Sequence, residues 1–275
     1  LGGGPGGYAA AFMAADLGME VTLINREENP GGVCLYRGCI PSKAYLHAAK
    51  VVNEARDASN FGITFGEPKI DIDKLRNWKK SVVNRLTGGL GQIAKQRNVS
   101  YLQGEGQLRD AHSLTVKAAN GDEGIVHFTR LILATGSRPI LPPIFDIGSK
   151  LVMDSTAALE LEDIPDRLLV VGGGYIGLEL GSFYAALGSK VTVVEATSGL
   201  LPGADRDLVK VLHQSIEKNM HSILLNTKVM QLKEVADGVQ VTVQPPTGAP
   251  TEDVYDRVLI SIGRRPNTEN LGLAH

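Results

Sequence analysis

The sequence predicts an α/β fold built on two copies of one βαβ unit, and three observations carry the prediction. Displaced by 170 residues without gaps, 1–26 falls on 171–196 with nine identities, among them Gly2, Gly3, Gly4 and Gly7 on Gly172, Gly173, Gly174 and Gly177. Each copy places Gly-x-Gly-x-x-Gly where a strand should give way to a helix. A polar side chain, Asn25 or Glu195, stands 23 positions beyond the first glycine of each. Together these describe two Rossmann-like dinucleotide-binding units.

Each element follows in turn. Helices are expected at 8–17 and 178–187, ended by Gly18 and Gly188, with β-branched strands at 21–24 and 191–194. Residues 167–171 supply the strand before the second turn, whereas only Leu1 stands in that place in the first. The chain opens inside a glycine run without Met, so preceding residues are expected. In such a turn the first glycine makes the bend, the second lets a pyrophosphate approach the backbone, and the third lets helix and strand pack closely. Gly2, Gly4 and Gly7, with Gly172, Gly174 and Gly177, are the candidate phosphate-binding glycines. A glycine-rich turn with no ligand is the bland alternative, and two copies in strand-to-helix context argue against it. Glu195 can accept hydrogen bonds from an adenosine ribose and repels a 2′-phosphate, which favours NAD over NADP. Asn25 can bond a ribose hydroxyl without charge.

Cys34 and Cys39 lie between the units in Gly31-Gly32-Val33-Cys34-Leu35-Tyr36-Arg37-Gly38-Cys39-Ile40-Pro41-Ser42-Lys43, ahead of a helical stretch at 44–56. On a regular helix residues five apart are about 7.5 Å apart along the axis, beyond the reach of about 4.4–6.8 Å between the Cα atoms of a disulfide. Bridging them needs a distorted backbone, which Gly38 and Pro41 permit. A distorted, readily reduced disulfide suits redox catalysis. Two buried thiols or half a zinc site are the alternatives, and zinc would lack ligands, so no metal is expected.

Bulk properties set the background. With 275 residues and 43% hydrophobic composition the chain can bury a sizeable core. Twenty-eight basic against 30 acidic residues give no field for nucleic acid or anionic lipid, and no apolar run is long enough to span a bilayer.

The cysteine segment resembles the disulfide motif of the class I flavin disulfide reductases, and its wording is similar to that of the dihydrolipoamide dehydrogenases. The likeness continues through 62–91, Ala134-Thr135-Gly136-Ser137-Arg138-Pro139 and Ile262-Gly263-Arg264-Arg265-Pro266-Asn267, so it covers essentially the whole chain. Tyr36 and Asn25 depart from the pattern, which usually has Asn and Glu there; they bear on geometry between the cysteines and on ribose binding. The resemblance implies that electrons pass from dihydrolipoamide through a Cys34–Cys39 disulfide and FAD to NAD. It implies that Cys34 exchanges with the lipoyl sulfur, that Cys39 lies against the flavin, and that Lys43 near flavin N5 pairs with Glu179. Gly32, Thr135, Gly136 and Gly263 would join the cofactor-binding set, and Tyr175 would gate the nicotinamide pocket.

The same resemblance implies an FAD-binding domain at 1–146, an NAD-binding domain inserted in it at 147–263, and at 264–275 the start of the return. Within these, helices are expected at 72–97 and 205–218, and strands at 114–118, 125–128, 131–134, 222–225, 239–243 and 254–262. It further implies lipoyl domains of 2-oxoacid dehydrogenase complexes as partners, a homodimer at full length, and a cytoplasmic bacterial location, with a mitochondrial matrix form as the alternative. The family continues with a Gly-Asp flavin-binding segment and an interface domain carrying a His–Glu pair, so this chain alone is expected to be inactive and to hold flavin poorly. The six histidines, His47, His112, His127, His213, His221 and His275, are expected to be surface or core residues. A nucleotide-binding module without turnover, or another flavin disulfide reductase, are the competing readings.

Overall fold

The computed structural model describes residues 1–274, and the chain forms two units. Leu1–Pro41, Lys80–Arg138 and Arg265–His275 make the first, and Ser42–Lys79 with Pro139–Arg264 the second. Each contains parallel strands joined across a helix, so the chain adopts the α/β fold with two Rossmann-like units.

In the first unit the helix Pro5–Asp16 opens on a proline, whose missing N–H costs nothing at that position. Gly18 ends it with φ +82°, a left-handed stop, its N–H on Ala15 O at 2.9 Å. Thr22–Asn25 then pairs in parallel with Ser100–Gln103. Ala11 and Leu23 pack with Ala94 and Val99. The strands Glu105–Asp110, Ser113–Lys117 and Glu123–His127 form an antiparallel sheet whose Leu114 and Val116 pack with Ile24. The strand expected at 131–134 does not form. Residues 131–134 still bond Leu1, whose N donates to Ile132 O and whose carbonyl accepts from Ala134 N, both at 2.8 Å.

The second unit is organised around a five-stranded parallel sheet in the order Ser222–Leu224, Lys190–Val194, Arg167–Val171, Arg257–Ile260, Val152–Met153. Its central strand, 167–171, buries Leu168, Leu169, Val170 and Val171, the run of apolar residues that a strand covered on both faces requires. The helix Tyr175–Leu187 buries Leu178, Leu180, Phe183 and Tyr184, and Tyr45 stacks on Phe183 with ring centroids 4.4 Å apart. The strand expected at 254–262 is two strands. Thr251–Tyr255 belongs to an antiparallel sheet with Gly238–Gln244 and Lys228–Val235, whereas Arg257–Ile260 enters the parallel sheet. Asp256 turns the chain between them, its carboxylate accepting from Arg167 N at 2.8 Å while its own N–H donates to Arg167 O at 3.0 Å.

Candidate active site and dinucleotide turns

The two glycine turns are built alike. Gly2 and Gly172 have φ +103° and +107°, left-handed values that suit only glycine, and their N–H groups reach Ile24 O and Val194 O at 2.8 Å. A Cβ on Gly7 would collide with Gly2 O; one on Gly177 would stand 2.5 Å from Gly172 O. Gly4 and Gly174 are the N-caps of their helices, in extended conformation, and around Gly174 nothing lies within 4 Å of where a Cβ would be. Each turn therefore closes at its first and third glycines and stays open at its second, where helix N–H groups emerge. Gly32, with φ +57°, passes so close to Gly4 that a side chain would strike its backbone.

The polar residue after each second strand does the same thing in both copies. Asn25 Oδ1 accepts from Gly3 N at 3.1 Å, and Glu195 Oε2 accepts from Gly173 N at 2.7 Å. Asn25 is held further by Tyr101, whose hydroxyl it reaches at 3.3 Å. Glu195 is buried, and its Oε1 accepts from Thr197 N and Thr197 Oγ1, both at 2.8 Å. Burial pushes its carboxyl up, but the N–H donors of Thr197 and Gly173 and the Thr197 hydroxyl outweigh this and hold it below the usual carboxylate range.

The cysteines flank a break between two helices. Gly32–Arg37 ends at Gly38, and Cys39–Asp57 starts immediately after. A Cβ on Gly38 would lie 2.9 Å from Val33 O and 3.3 Å from Cys34 Cα, so the chain doubles back onto the turn bearing Cys34 as only glycine allows. Cys34 is half-buried and Cys39 exposed. Tyr8, on the first-unit helix, lies near both: burial first, then the neighbouring charges of Cys34 and Cys39, push its phenol up. Tyr36, between the cysteines, turns its hydroxyl to Asn29 O at 3.1 Å.

Within the second unit, Lys43 Nζ meets Glu179 Oε1 at 2.6 Å, and the other carboxylate oxygen accepts from Ser42 Oγ at 3.1 Å. The side chains are 57% and 30% exposed, so the pair adds little stability and stays accessible. Tyr175, at the first position of its helix, is 65% exposed. Gly263 has φ +138° and accepts from Ile140 N at 3.1 Å. In the first unit Asn267 fixes the Thr135–Gly136 turn: its N–H reaches Gly136 O at 2.9 Å, its Nδ2 reaches Thr135 O at 2.9 Å, and its carbonyl accepts from Thr135 Oγ1 at 2.7 Å. Arg138 braces this corner against Glu269 at 2.7 Å and holds that carboxyl at about 2.

Sequence reasoning missed Ser42, Thr197, Tyr8 and the side chain of Asn267. Ser42 and Asn267 had a signal, their places in the 31–43 and 262–267 segments. Among the described residues no three His, Cys, Asp or Glu side chains are grouped to hold a metal ion, and no helix is long and apolar enough to cross a membrane. His47, His112, His127 and His221 are exposed and His213 half-buried, as expected; His275 lies outside the described residues.

Comparison with known proteins gives this arrangement a context. A family model described as pyridine nucleotide-disulphide oxidoreductase matches residues 1–275. The dihydrolipoyl dehydrogenase of Vibrio parahaemolyticus is 47% identical over 267 residues, 97% of this chain and 56% of the relative. That of Haemophilus influenzae is 45% identical over 267 residues, 97% and 55% of the two chains. The crystal structure of LpdA from Mycobacterium tuberculosis matches with a TM-score of 0.88 at 29% identity, over 100% of this chain and 60% of that one. The chain thus spans a little over half the length of these relatives.

Proposed function

The chain belongs to the pyridine nucleotide-disulphide oxidoreductase family, and on that footing we propose that it is the electron-transfer part of a dihydrolipoyl dehydrogenase. The observation that carries the reading is the Gly38 break, which folds Cys39 back toward Cys34 in the segment leaving the first dinucleotide turn. The first turn, with Gly2, Gly4, Gly7, Gly32 and Asn25, would hold FAD, helped by Thr135 and Gly136. Its open second glycine, abutted by Gly32 with no side chain between, fits a pyrophosphate drawn to a helix N-terminus. The second turn, with Gly172, Gly174, Gly177 and the buried Glu195, would hold NAD, with Tyr175 and Gly263 beside it. On this reading the FAD domain is 1–146 and the NAD domain 147–263, with 264–275 returning to the first, although 42–79 and 139–146 cluster with the second unit.

In the proposed reaction the substrate dithiol loses two electrons and two protons and closes to a disulfide, while the Cys34–Cys39 disulfide opens to two thiols. Cys34 exchanges with the substrate sulfur and Cys39 is released as the leaving thiolate. Bound flavin would take the electron pair from this dithiol and deliver it to NAD. Lys43 supplies a fixed positive charge that favours thiolate, and Glu179, held at both oxygens by Lys43 and Ser42, orients it. Glu195 rejects a 2′-phosphate. Lipoyl domains as electron donors, a homodimer and a cytoplasmic location follow from the same reading. The test is NADH formation from dihydrolipoamide by the FAD-loaded protein that carries this chain: Cys34→Ser should abolish it with flavin retained, and near-normal turnover overturns the mechanism.

A second reading is a nucleotide-holding module that does not turn over by itself. Turnover by the 275-residue chain supplied with FAD, set beside a full-length relative, separates the two.

A further inference from the structure

The internal repeat extends beyond the glycine turns into the loops that follow them. Gly31 N donates to Gly3 O at 2.7 Å, and Leu201 N, 170 residues on, donates to Gly173 O at 2.9 Å. In both copies the residue after the first glycine is therefore held by its N–H from the second strand and by its carbonyl from the loop. The loops differ in how they are secured. At Tyr36 the first copy sends one hydroxyl to Asn29 O at 3.1 Å. At the matching position the second copy has Arg206, whose guanidinium bonds Leu200 O at 3.0 Å, Leu201 O at 2.6 Å and Ala204 O at 3.0 and 2.9 Å.

Resting on the proposal that the second turn holds NAD, we infer that Arg206 is a positioning residue for that site, clamping the loop that fixes Gly173 and Glu195. Three observations meet here. Leu201 has φ +48°, a left-handed conformation that costs an ordinary residue about 1 kcal/mol or more; its carbonyl is held by Arg206 and its N–H by Gly173. The fully buried Leu200 side chain lies over Gly173, where a Cβ would meet it at 2.7 Å, and its carbonyl is also Arg206's. Thr197, which holds Glu195 Oε1, reaches Gly199 O at 2.9 Å with its hydroxyl, and a Cβ on Gly199 would meet Arg206 Nη1 at 2.7 Å. The chain of contacts runs from Arg206 through Leu200 and Leu201 to Gly173, and along Gly199 and Thr197 to Glu195. A guanidinium suits the task because its donors diverge in a rigid fork, whereas a lysine ammonium is a point that cannot serve three separated carbonyls.

The experiment uses the 275-residue chain and its Arg206→Gln and Arg206→Lys variants, titrated calorimetrically with NAD and with ADP-ribose, and followed by amide hydrogen exchange over 199–204. Both variants should bind either ligand about tenfold more weakly, the factor that about 1.4 kcal/mol makes in a dissociation constant, and should exchange faster across the loop. Full affinity in the lysine variant would mean that charge rather than the fork matters, and overturns the inference. So does unchanged affinity in both variants when the parent binds NAD. If the parent itself does not bind NAD, the NAD reading fails; loop exchange then decides the clamp alone, and unaltered exchange in the variants refutes it.

Discussion

Two glycines three residues apart separate packing from binding in the second turn. An alanine Cβ at Gly177 would stand 2.5 Å from both Gly172 O and Ser261 Oγ and 2.9 Å from Val170 Cγ1. The helix Tyr175–Leu187 would have to recede by about 1 Å to restore ordinary contact. It is not free to do so, because Leu178, Leu180, Phe183 and Tyr184 are at most 4% exposed along the same helix. Overpacking of this kind costs about 1–3 kcal/mol, which for a chain of this size lowers Tm by about 3–9 °C. Gly174 has φ −78° and open space around it, so alanine there should change stability by only about 0.5 kcal/mol. Its methyl, however, would stand where a pyrophosphate must approach the helix N-terminus. Thermal unfolding and NAD titration of both variants test this. Gly177→Ala should melt lower, whereas Gly174→Ala should melt like the parent but bind NAD about tenfold more weakly or worse, a loss of about 1.4 kcal/mol. Equal melting losses in the two, or undiminished NAD affinity in Gly174→Ala, would refute the reasoning.

Other consequences are open to simple assays. After reduction, iodoacetamide should label the exposed Cys39 faster than the half-buried Cys34 in the flavin-free chain, and the order should reverse once flavin covers Cys39; peptide mass analysis showing one order in both states would count against the assignment. Because the Glu195 carboxyl lies below its ordinary value of 4.5 in the folded chain, its contribution to stability is complete above about pH 4.5 and is lost as pH falls through the folded value. Glu195→Gln should therefore lower Tm at neutral pH and flatten its acid limb, and a profile parallel to the parent's would contradict this. Among the described residues none offers the buried Tyr45 hydroxyl a hydrogen bond. Tyr45→Phe should then stabilise the chain by about 1 kcal/mol, and a lower melting temperature would show that the hydroxyl is bonded after all.

The parts legible in the sequence are those set by local rules. A Gly-x-Gly-x-x-Gly turn declares itself because a side chain at Gly172 or Gly177 would strike backbone, and Gly188 ends its helix at φ +116° for a reason visible in one residue. The strand 167–171 was found to the residue because four consecutive apolar positions, 168–171, suit a strand buried on both faces. Where two elements abut without glycine or proline, the joint is easily missed: 254–262 looked like one strand although the charged Asp256 and Arg257 interrupt its apolar residues, because the turn at Asp256 is defined only by its bonds to Arg167. The strand expected at 131–134 shows another limit, since a ladder needs a partner strand and the sequence of 131–134 carries no information about what lies opposite it. In the site, the 23-residue spacing pointed to Asn25 and Glu195, but not to the bonds each makes with Gly3 or Gly173. The link of Ser42 to Glu179 was invisible because it depends on how the helices Cys39–Asp57 and Tyr175–Leu187 pack, stacking Tyr45 on Phe183.

On the proposed mechanism Cys34 and Cys39 form a two-electron store coupled to flavin. Anaerobic reductive titration of the FAD-loaded protein carrying this chain measures that store directly. A disulfide and a flavin each hold two electrons, so the wild-type protein should consume about two equivalents of a two-electron reductant per flavin before reduction is complete, and Cys34→Ser about one. Complete reduction of the wild-type protein by about one equivalent, indistinguishable from Cys34→Ser, would contradict the claim.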